Sequence, residues 1–163
     1  MSRTAAPPTA PPMGGFLLAQ RHRGACTEQT AALFFDDATT SSRASRANHQ
    51  AAKAICRLCP ILHPCRGYAR ADPTLEGIWG GETQTERHTA RRTATPNPDP
   101  TGDNQQGRHL AGLAAQRAHR DGLHAAATAF KVPPATLRRV LGLYRLDQPP
   151  GPASPLPPSP ERR

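Results

Sequence analysis

Apolar side chains recur at intervals of three and four residues in two stretches of the chain, a spacing that places them on one face of an α-helix. In the first stretch the pattern predicts a helix that begins at Ser42 or Ser45 and ends near Pro60, because proline cannot continue a helix. Shorter helices are predicted over about 64–71 and 83–92. Alternation of apolar and polar residues is nowhere sustained, so we expect an all-α fold.

The second stretch covers residues 106–146 and again has apolar residues at helical spacing. Its residue order is typical of a helix-turn-helix. The first helix would end at Phe130, Val132 would fill the core between the helices, and Pro134 would open the second helix, where its missing N–H costs nothing. This order predicts a short C-terminal unit that resembles a helix-turn-helix.

Prolines cluster outside these stretches and divide the chain into five parts. Prolines at alternate positions prevent a helix between the two stretches, and both ends contain too few apolar side chains to fold. We expect a disordered arm, a first domain with all four cysteines, a linker, the helix-turn-helix-like unit and a disordered tail of polyproline character. Their bounds are 1–20, 21–93, 94–105, 106–146 and 147–163.

The composition limits the size of any hydrophobic core. Of 163 residues, 19 are proline and 13 are glycine, and aromatic residues make up 4%. Burial alone would therefore give a thin core that a bound metal could stabilise. The net charge of +9 favours nucleic acid or an acidic protein as a partner, although a GC-rich genome would also enrich arginine.

Several classes of function find no support in the sequence. There is no run of about 20 apolar residues, so no membrane span is predicted and we expect a cytoplasmic protein. No Ser-His-Asp, paired-carboxylate or phosphate-loop pattern occurs. We therefore expect no small-molecule substrate, and an enzymatic function would rest on the cysteines alone.

The cysteines are the strongest chemical signal, and they are Cys26, Cys56, Cys59 and Cys65. In a reducing compartment, cysteines grouped in this way bind metals more often than they form disulfides. Four thiolates satisfy a tetrahedral zinc ion or a four-iron cluster, and a single Cys-x-x-Cys pair modestly favours iron and sulfur. A redox dithiol of Cys56 and Cys59 and a set of small buried hydrophobic residues are the alternatives.

After the cysteines comes a tryptophan between glycines, in the segment Gly77-Ile78-Trp79-Gly80-Gly81. Glycines permit positive φ angles and a close approach of the backbone, so we expect the indole to be held on a tight turn. The indole could anchor a partner, or it could be the main aromatic side chain of a small core.

Over about residues 25–92 the order and spacing of these motifs resemble the WhiB-like family of actinobacteria and their phages. The matching features are a lone cysteine followed by Leu33-Phe34-Phe35, the Cys-x-x-Cys-Pro motif with a further cysteine, Tyr68-Ala69, the Gly-Ile-Trp-Gly-Gly turn, and Thr85-Glu86-Arg87 leading to Arg91-Arg92. The resemblance implies one 4Fe–4S cluster per chain in a small all-helical fold. The implied ligands are Cys26, Cys56, Cys59 and Cys65.

The resemblance also implies partners. Proteins of this family typically bind region 4 of the primary sigma factor of RNA polymerase, react with nitric oxide and oxygen, and contact promoter DNA through a basic tail. The implied sigma-binding residues are Trp79, Gly77, Ile78, Gly80 and Gly81, with Phe34 and Phe35 near the cluster or the interface. The implied basic tail consists of Arg87, Arg91 and Arg92.

The second helix of the predicted helix-turn-helix adds candidate DNA contacts, because its polar residues would face outward toward a major groove. They are Thr136, Arg138, Arg139 and Arg145. The alternative is a helical hairpin whose arginines are merely solvated. Our leading hypothesis is a redox- or nitric-oxide-responsive transcriptional regulator. Its rivals are an apo-form disulfide reductase that uses Cys56 and Cys59, and a zinc-stapled DNA-binding module.

Overall fold

The computed structural model describes residues 21–35, 43–96 and 103–147. The predicted N-terminal arm, most of the predicted C-terminal tail and part of the predicted linker lie outside these ranges. The described residues form short 3₁₀ turns and seven α-helices without a named strand, which confirms the all-α expectation. The helices are α1 (Ala31–Phe34), α2 (Arg43–Leu58), α3 (Leu62–Ala71), α4 (Gln84–Arg92), α5 (Gln105–Asp121), α6 (Leu123–Phe130) and α7 (Pro134–Leu143).

Helices α2 and α3 form where the apolar spacing predicts them, with differences at their N-termini. Ser45 lies inside α2 with only 3% of its surface exposed, so a cap at Ser45 is wrong, and Ser42 lies outside the described residues. Helix α3 begins at Leu62, before the expected Pro64. Pro64 falls in the first helical turn, where the missing N–H has no helical acceptor to satisfy.

Helix α4 begins at a capping box. The backbone N–H of Glu86 donates to the Thr83 hydroxyl over 3.2 Å, and the Glu86 carboxylate accepts from the backbone N–H of Thr83 over 2.8 Å. Glu86 also accepts from Lys53 of α2. The cap therefore fixes the start of α4 and joins it to α2.

The C-terminal helices form the predicted helix-turn-helix-like arrangement. Helix α6 ends at Phe130, Lys131 has a left-handed backbone with φ of 56°, and Val132 is buried. Pro134 is the first residue of α7. These positions confirm the roles that the sequence predicts for Phe130, Val132 and Pro134, because a left-handed residue ends α6 and a proline opens α7.

One hydrophobic core extends through the cysteine-bearing helices and the C-terminal helices. Buried residues Ile55 and Leu58 of α2 belong to the same cluster as Ala111 of α5 and as Leu137 and Val140 of α7. The segments on either side of the predicted linker therefore pack together, while the domain bounds themselves stay a prediction. No helix in the described ranges has the length and apolar character needed to cross a membrane.

Candidate metal centre and tryptophan turn

All four cysteines line a single cavity of about 710 Å³. Cys56 lies in the last turn of α2, Cys59 in the loop that follows, Cys65 on α3, and Cys26 on the segment before α1. Apolar side chains such as Ile55 and Ile78 complete much of the wall. The fold thus brings together the four residues that the sequence nominates, from two stretches of the chain, one at residue 26 and one at 56–65.

Backbone hydrogen bonds position the cysteine segments. The N–H of Cys59 donates to the carbonyl of Cys56 over 3.0 Å, and the N–H of Cys65 donates to the carbonyl of Ile61 over 3.0 Å. The N–H of Ala25 donates to the sulfur of Cys59 over 3.4 Å. The last contact holds the neighbour of Cys26 directly against another candidate ligand.

The thiols lie in surroundings that disfavour charge when no metal is bound. Burial, together with the other sulfurs, raises the pKa of Cys59 to about 11 and the pKa of Cys65 to about 12. Burial raises the pKa of Cys56 well above its ordinary value, again with the neighbouring sulfurs adding to the rise. A reactive dithiol needs a lowered pKa, so this direction argues against a disulfide reductase that uses Cys56 and Cys59.

The donor set fits an iron–sulfur cluster better than a single zinc ion. Zn–S bonds of about 2.3 Å would bring four sulfurs to within about 4 Å of one another. In the part of the chain that the structure describes, no three Cys, His, Asp or Glu side chains are grouped closely enough to hold one ion. Four cysteines around one cavity of about 710 Å³ suit a larger group that is bound by cysteine thiolates.

The tryptophan turn closes one side of this cavity. Trp79 and Glu82 exchange two backbone hydrogen bonds of 3.0 Å, and the intervening Gly80 and Gly81 have φ angles of 54° and 78°. Hydrogen bonding from the backbone of Gly81 partly offsets the rise in the pKa of Cys56, and Gly80 acts in the same way on Cys65. The turn therefore contacts two of the candidate ligands directly.

The indole of Trp79 is half-buried and serves partly as core. It packs against Tyr68 with the ring centroids 6.4 Å apart, and its Nε1–H donates to the carbonyl of Glu76 over 2.7 Å. Trp79 also lines the cavity, as does Phe35, whose side chain is 61% exposed. Phe34 is buried and its carbonyl accepts from the N–H of Ile78 over 2.8 Å. Of the two phenylalanines, Phe35 alone is available to a partner.

Arg87 is not at the surface, so its place in the implied basic tail is wrong. The residue is 0% exposed, and its guanidinium donates to three backbone carbonyls around the tryptophan turn. These are the carbonyls of Leu75 at 2.5 Å, Gly77 at 2.8 Å and Glu82 at 2.9 Å. Burial lowers the pKa of Arg87, with Arg91 adding to the effect. The turn is built around this side chain.

The other candidate DNA contacts divide according to exposure. Thr136 is 3% exposed, so its expected outward orientation is wrong, because it shares the inner face of α7 with Val140. Arg139 donates to backbone carbonyls of the segment before Cys26, and Arg91 donates to the carbonyl of Arg70. The candidates with exposed side chains are Arg92, Arg138 and Arg145.

Glu82, Arg66 and Arg70 belong to the site but were not identified from the sequence. Both arginines of α3 form ion pairs with Glu82, and the Nε–H of Arg66 also donates to the carbonyl of Gly80 over 2.7 Å. The sequence did contain a signal for these ion pairs. Arg66 and Arg70 are four residues apart and so share one face of α3, and Glu82 directly follows the two glycines of the turn. Together they hold the turn on α3.

Replacing Gly80 by alanine is expected to lower the free energy of unfolding by about 2 kcal/mol or more. A left-handed backbone costs a residue with a Cβ about 1–2 kcal/mol, and this Cβ would lie 2.5 Å from the backbone of Arg66. Thermal and denaturant unfolding of the protein would measure the loss.

Gly112→Ala is the matched control for Gly80→Ala. Gly112 lies within α5, and an added Cβ there would meet nothing within 4 Å. That variant should gain about 0.5–1 kcal/mol, since alanine favours helix over glycine. Equal stability of the two variants would contradict the packing of the turn on α3.

Comparison with known proteins gives a consistent result. The family described as transcription factor WhiB matches residues 21–90. The redox-responsive transcriptional regulator WhiB3 of Mycolicibacterium smegmatis is 37% identical over 65 residues, which cover 40% of this chain and 68% of that protein. The transcriptional regulator WhiB1 of Mycobacterium tuberculosis is 31% identical over 72 residues, which cover 44% of this chain and 83% of that protein.

The matched region is limited to the cysteine-bearing part. The transcriptional regulator WhiD of Streptomyces coelicolor is 35% identical over 63 residues, which cover 39% of this chain and 56% of that protein. The chain spans 64% of the length of the M. tuberculosis WhiB3 relative. No solved structure gives a significant match. Because the family match ends at residue 90, helices α5, α6 and α7 lie beyond it.

Proposed function

Because the chain belongs to the WhiB family of transcription factors, we propose that it is a redox- or nitric-oxide-responsive regulator of transcription. In this proposal one 4Fe–4S cluster is held by Cys26, Cys56, Cys59 and Cys65. The protein binds region 4 of the primary sigma factor and promoter DNA. When bound, the cluster supplies reactivity toward nitric oxide and oxygen.

The observation that carries the proposal is the contact between the cavity and the tryptophan turn. The four cysteines open onto one space, and the backbone of Gly80 and Gly81 lies against two of the sulfurs. A group held by the cysteines therefore supports the turn that carries Trp79. Loss or modification of that group would remove the support and alter the surface offered to a partner.

The sigma-binding surface in this proposal consists of Phe35, Trp79 and the glycines of the turn. Phe35 is one of only two large hydrophobic residues that are exposed in the described ranges. It lies beside Gly77, where an added Cβ would be 3.0 Å from the ring of Phe35. An exposed aromatic ring next to a rigid half-buried indole suits docking of a protein partner.

The DNA-binding part of the proposal rests on charge and exposure. The net charge is +9, and the candidate DNA contacts with exposed side chains are Arg92, Arg138 and Arg145. Arg138 extends from α7, the second helix of the helix-turn-helix-like arrangement. Contacts of arginine with phosphates give affinity that falls as salt concentration rises.

The cofactor is tested by anaerobic purification of the full chain. We expect a brown protein with broad absorbance near ~400 nm and about four irons per chain, as four cysteine ligands and one cubane require. A colourless protein with one zinc per chain would contradict the proposed cluster and would favour the zinc-stapled DNA-binding module.

Trp79→Ala is expected to abolish co-purification with sigma region 4 and to leave the brown colour in place. The indole is half-buried and is not a metal ligand, so its loss removes partner contact area while the four cysteines remain. Pull-down of the anaerobic protein, with the absorbance recorded on the same sample, measures both properties.

Leu113→Ala is the matched control for Trp79→Ala. Leu113 is the other exposed large hydrophobic residue of the described ranges and lies on α5. Truncation there should leave sigma binding unchanged. Sigma binding retained by Trp79→Ala would mean that the indole is a core residue only.

A further inference from the structure

The C-terminal helices contact the segment that carries Cys26. Arg139 of α7 lines the same cavity as the four cysteines. Its Nε–H donates to the carbonyl of Gly24 over 2.7 Å, and its Nη2–H donates to the carbonyl of His22 over 3.2 Å. One planar guanidinium therefore holds two carbonyls of this segment, which a lysine could not do in the same geometry.

A second contact joins the C-terminal helices to the segment that carries Cys59. Asn104 is 2% exposed, and its Nδ2 donates to the carbonyls of Arg57 at 3.1 Å and Cys59 at 2.8 Å. Its Oδ1 accepts from the N–H of Gly107 over 2.9 Å and so caps α5. The Asn104 side chain thus starts α5 and holds the Cys59 loop at the same time.

Gly107 shows that this second contact is closely packed. A Cβ at this position would lie against the Asn104 amide and 2.8 Å from the carbonyl of Arg57. Tyr144, which follows α7, donates from its hydroxyl to the Asn104 carbonyl over 3.5 Å. The start of α5, the end of α7 and the Cys56–Cys59 loop therefore meet at one buried point.

We propose that α5, α6 and α7 form a clamp on the metal centre, in which Arg139 and Asn104 are positioning residues for the segments bearing Cys26 and Cys59. The clamp retains the metal group, and loss of that group loosens the C-terminal helices in return, because coupling between two sites is reciprocal. This inference rests on the proposed cluster. It extends the proposed function to residues that lie beyond the family match, which ends at residue 90.

Cys26 is the ligand that most needs such a clamp. It is exposed, whereas Cys56 and Cys59 are buried and belong to a helix end and the adjoining loop. The carbonyls held by Arg139, together with the bond from Ala25 to the Cys59 sulfur, tie this segment to the rest of the site. Removing the Arg139 contacts should therefore release one ligand of the four.

Arg139 also brings a positive charge to a group of thiolates. A nearby cation stabilises the more negative, reduced state of an iron–sulfur cluster, so it raises the reduction potential. This effect depends on charge, whereas holding two carbonyls depends on the shape of the guanidinium. The two roles of Arg139 can therefore be separated by a lysine.

The test compares the full-length, anaerobically purified holoprotein with three variants: Arg139→Ala, Arg139→Lys and Arg120→Ala. Arg120 is the matched control, an exposed arginine of α5 whose ion pair is with its neighbour Asp121. The rate at which the ~400 nm band disappears on addition of an iron chelator measures retention. We expect loss several-fold faster for both Arg139 variants and an unchanged rate for Arg120→Ala.

Redox titration of the same proteins separates the charge from the clamp. The midpoint potential should fall in Arg139→Ala and stay near the wild-type value in Arg139→Lys. A general structural defect would not give this pattern, because it would affect retention and potential in both variants. Equal chelation rates for wild type, both Arg139 variants and Arg120→Ala would overturn the clamp.

Hydrogen exchange of the unmodified protein gives a readout that no folding defect of a variant can obscure. Backbone amides of α7 should exchange faster after the iron is removed than before. Unchanged exchange in α7 would contradict the claim that loss of the metal group loosens the C-terminal helices. A brown wild type with unaffected variants refutes the clamp alone, whereas a colourless wild type refutes the proposed function and the clamp together.

Discussion

Cys56→Ser is expected to yield a colourless protein with less than about one iron per chain, against about four for the unmodified chain. Cys56 is buried at the end of α2, where its sulfur faces the cavity and the backbone of Gly81. A serine hydroxyl does not replace a thiolate as an iron ligand in this donor set. Because the four ligands join two distant stretches of the chain around one cavity, losing one ligand should release the whole group.

The loss of the metal group should also loosen the fold around it. Binding of a metal to folded ligands contributes to folding free energy, so the melting temperature of Cys56→Ser should fall to that of the chelator-treated wild type. Iron analysis, the absorbance spectrum and thermal unfolding under anaerobic conditions measure these effects.

Ala51→Ser is the matched control for Cys56→Ser. It introduces the same side chain on the same helix at a half-buried position away from the cavity lining. This variant should remain brown. A brown Cys56→Ser protein with a full complement of iron would show that Cys56 is not a ligand.

Arg87→Ala is expected to lower the free energy of unfolding by about 3 kcal/mol or more and to abolish sigma binding. The side chain satisfies the carbonyls of Leu75, Gly77 and Glu82. A buried carbonyl that loses its donor costs about 1–3 kcal/mol. Without the guanidinium the segments on both sides of Trp79 lose their shared donor, so the turn should lose its shape. Denaturant unfolding and pull-down with sigma region 4 measure the two effects.

The matched control for Arg87→Ala is Arg92→Ala, which removes an exposed arginine from the end of the same helix. Its free energy of unfolding should change by less than about 0.5 kcal/mol. Arg87→Lys should recover only part of the stability, because an ammonium cannot reach three carbonyls in one plane as a guanidinium does. If Arg87→Ala and Arg92→Ala unfold alike, the turn does not depend on Arg87.

Local features of the sequence were sufficient to predict most of the helices, although α1 was not predicted. The apolar spacing and Pro60 locate α2, and the order of Phe130, Val132 and Pro134 predicts both the end of α6 and the start of α7. The four cysteines were grouped from their number and from the Cys-x-x-Cys pair, a pattern that zinc, an iron–sulfur cluster or a redox dithiol could each explain. Except for Cys26, which lies 30 positions before Cys56, each of these signals lies within a few residues of the feature that it predicts.

The roles of individual polar residues could not be predicted in this way, because they depend on distant parts of the chain. In the sequence, Arg87 has the pattern of a surface charge on a basic helix. Its burial is favourable only because the carbonyls around the tryptophan turn accept hydrogen bonds from it. Arg139 meets residues near Cys26 only after the C-terminal helices have folded back. For Thr136 a local signal existed, because its spacing of four from Val140 puts it on the buried face of α7.

The contact between Arg139 and Gly24 spans 115 positions of sequence, and this separation sets an order of events during biosynthesis. A nascent chain exposes all four cysteines well before Arg139 leaves the ribosome. A metal group loaded at that stage would sit in a site whose Cys26 segment is not yet held. On the proposed clamp we therefore expect stable loading to follow synthesis of α7, and a ribosome stalled before residue 139 to carry a chain that loses its iron readily.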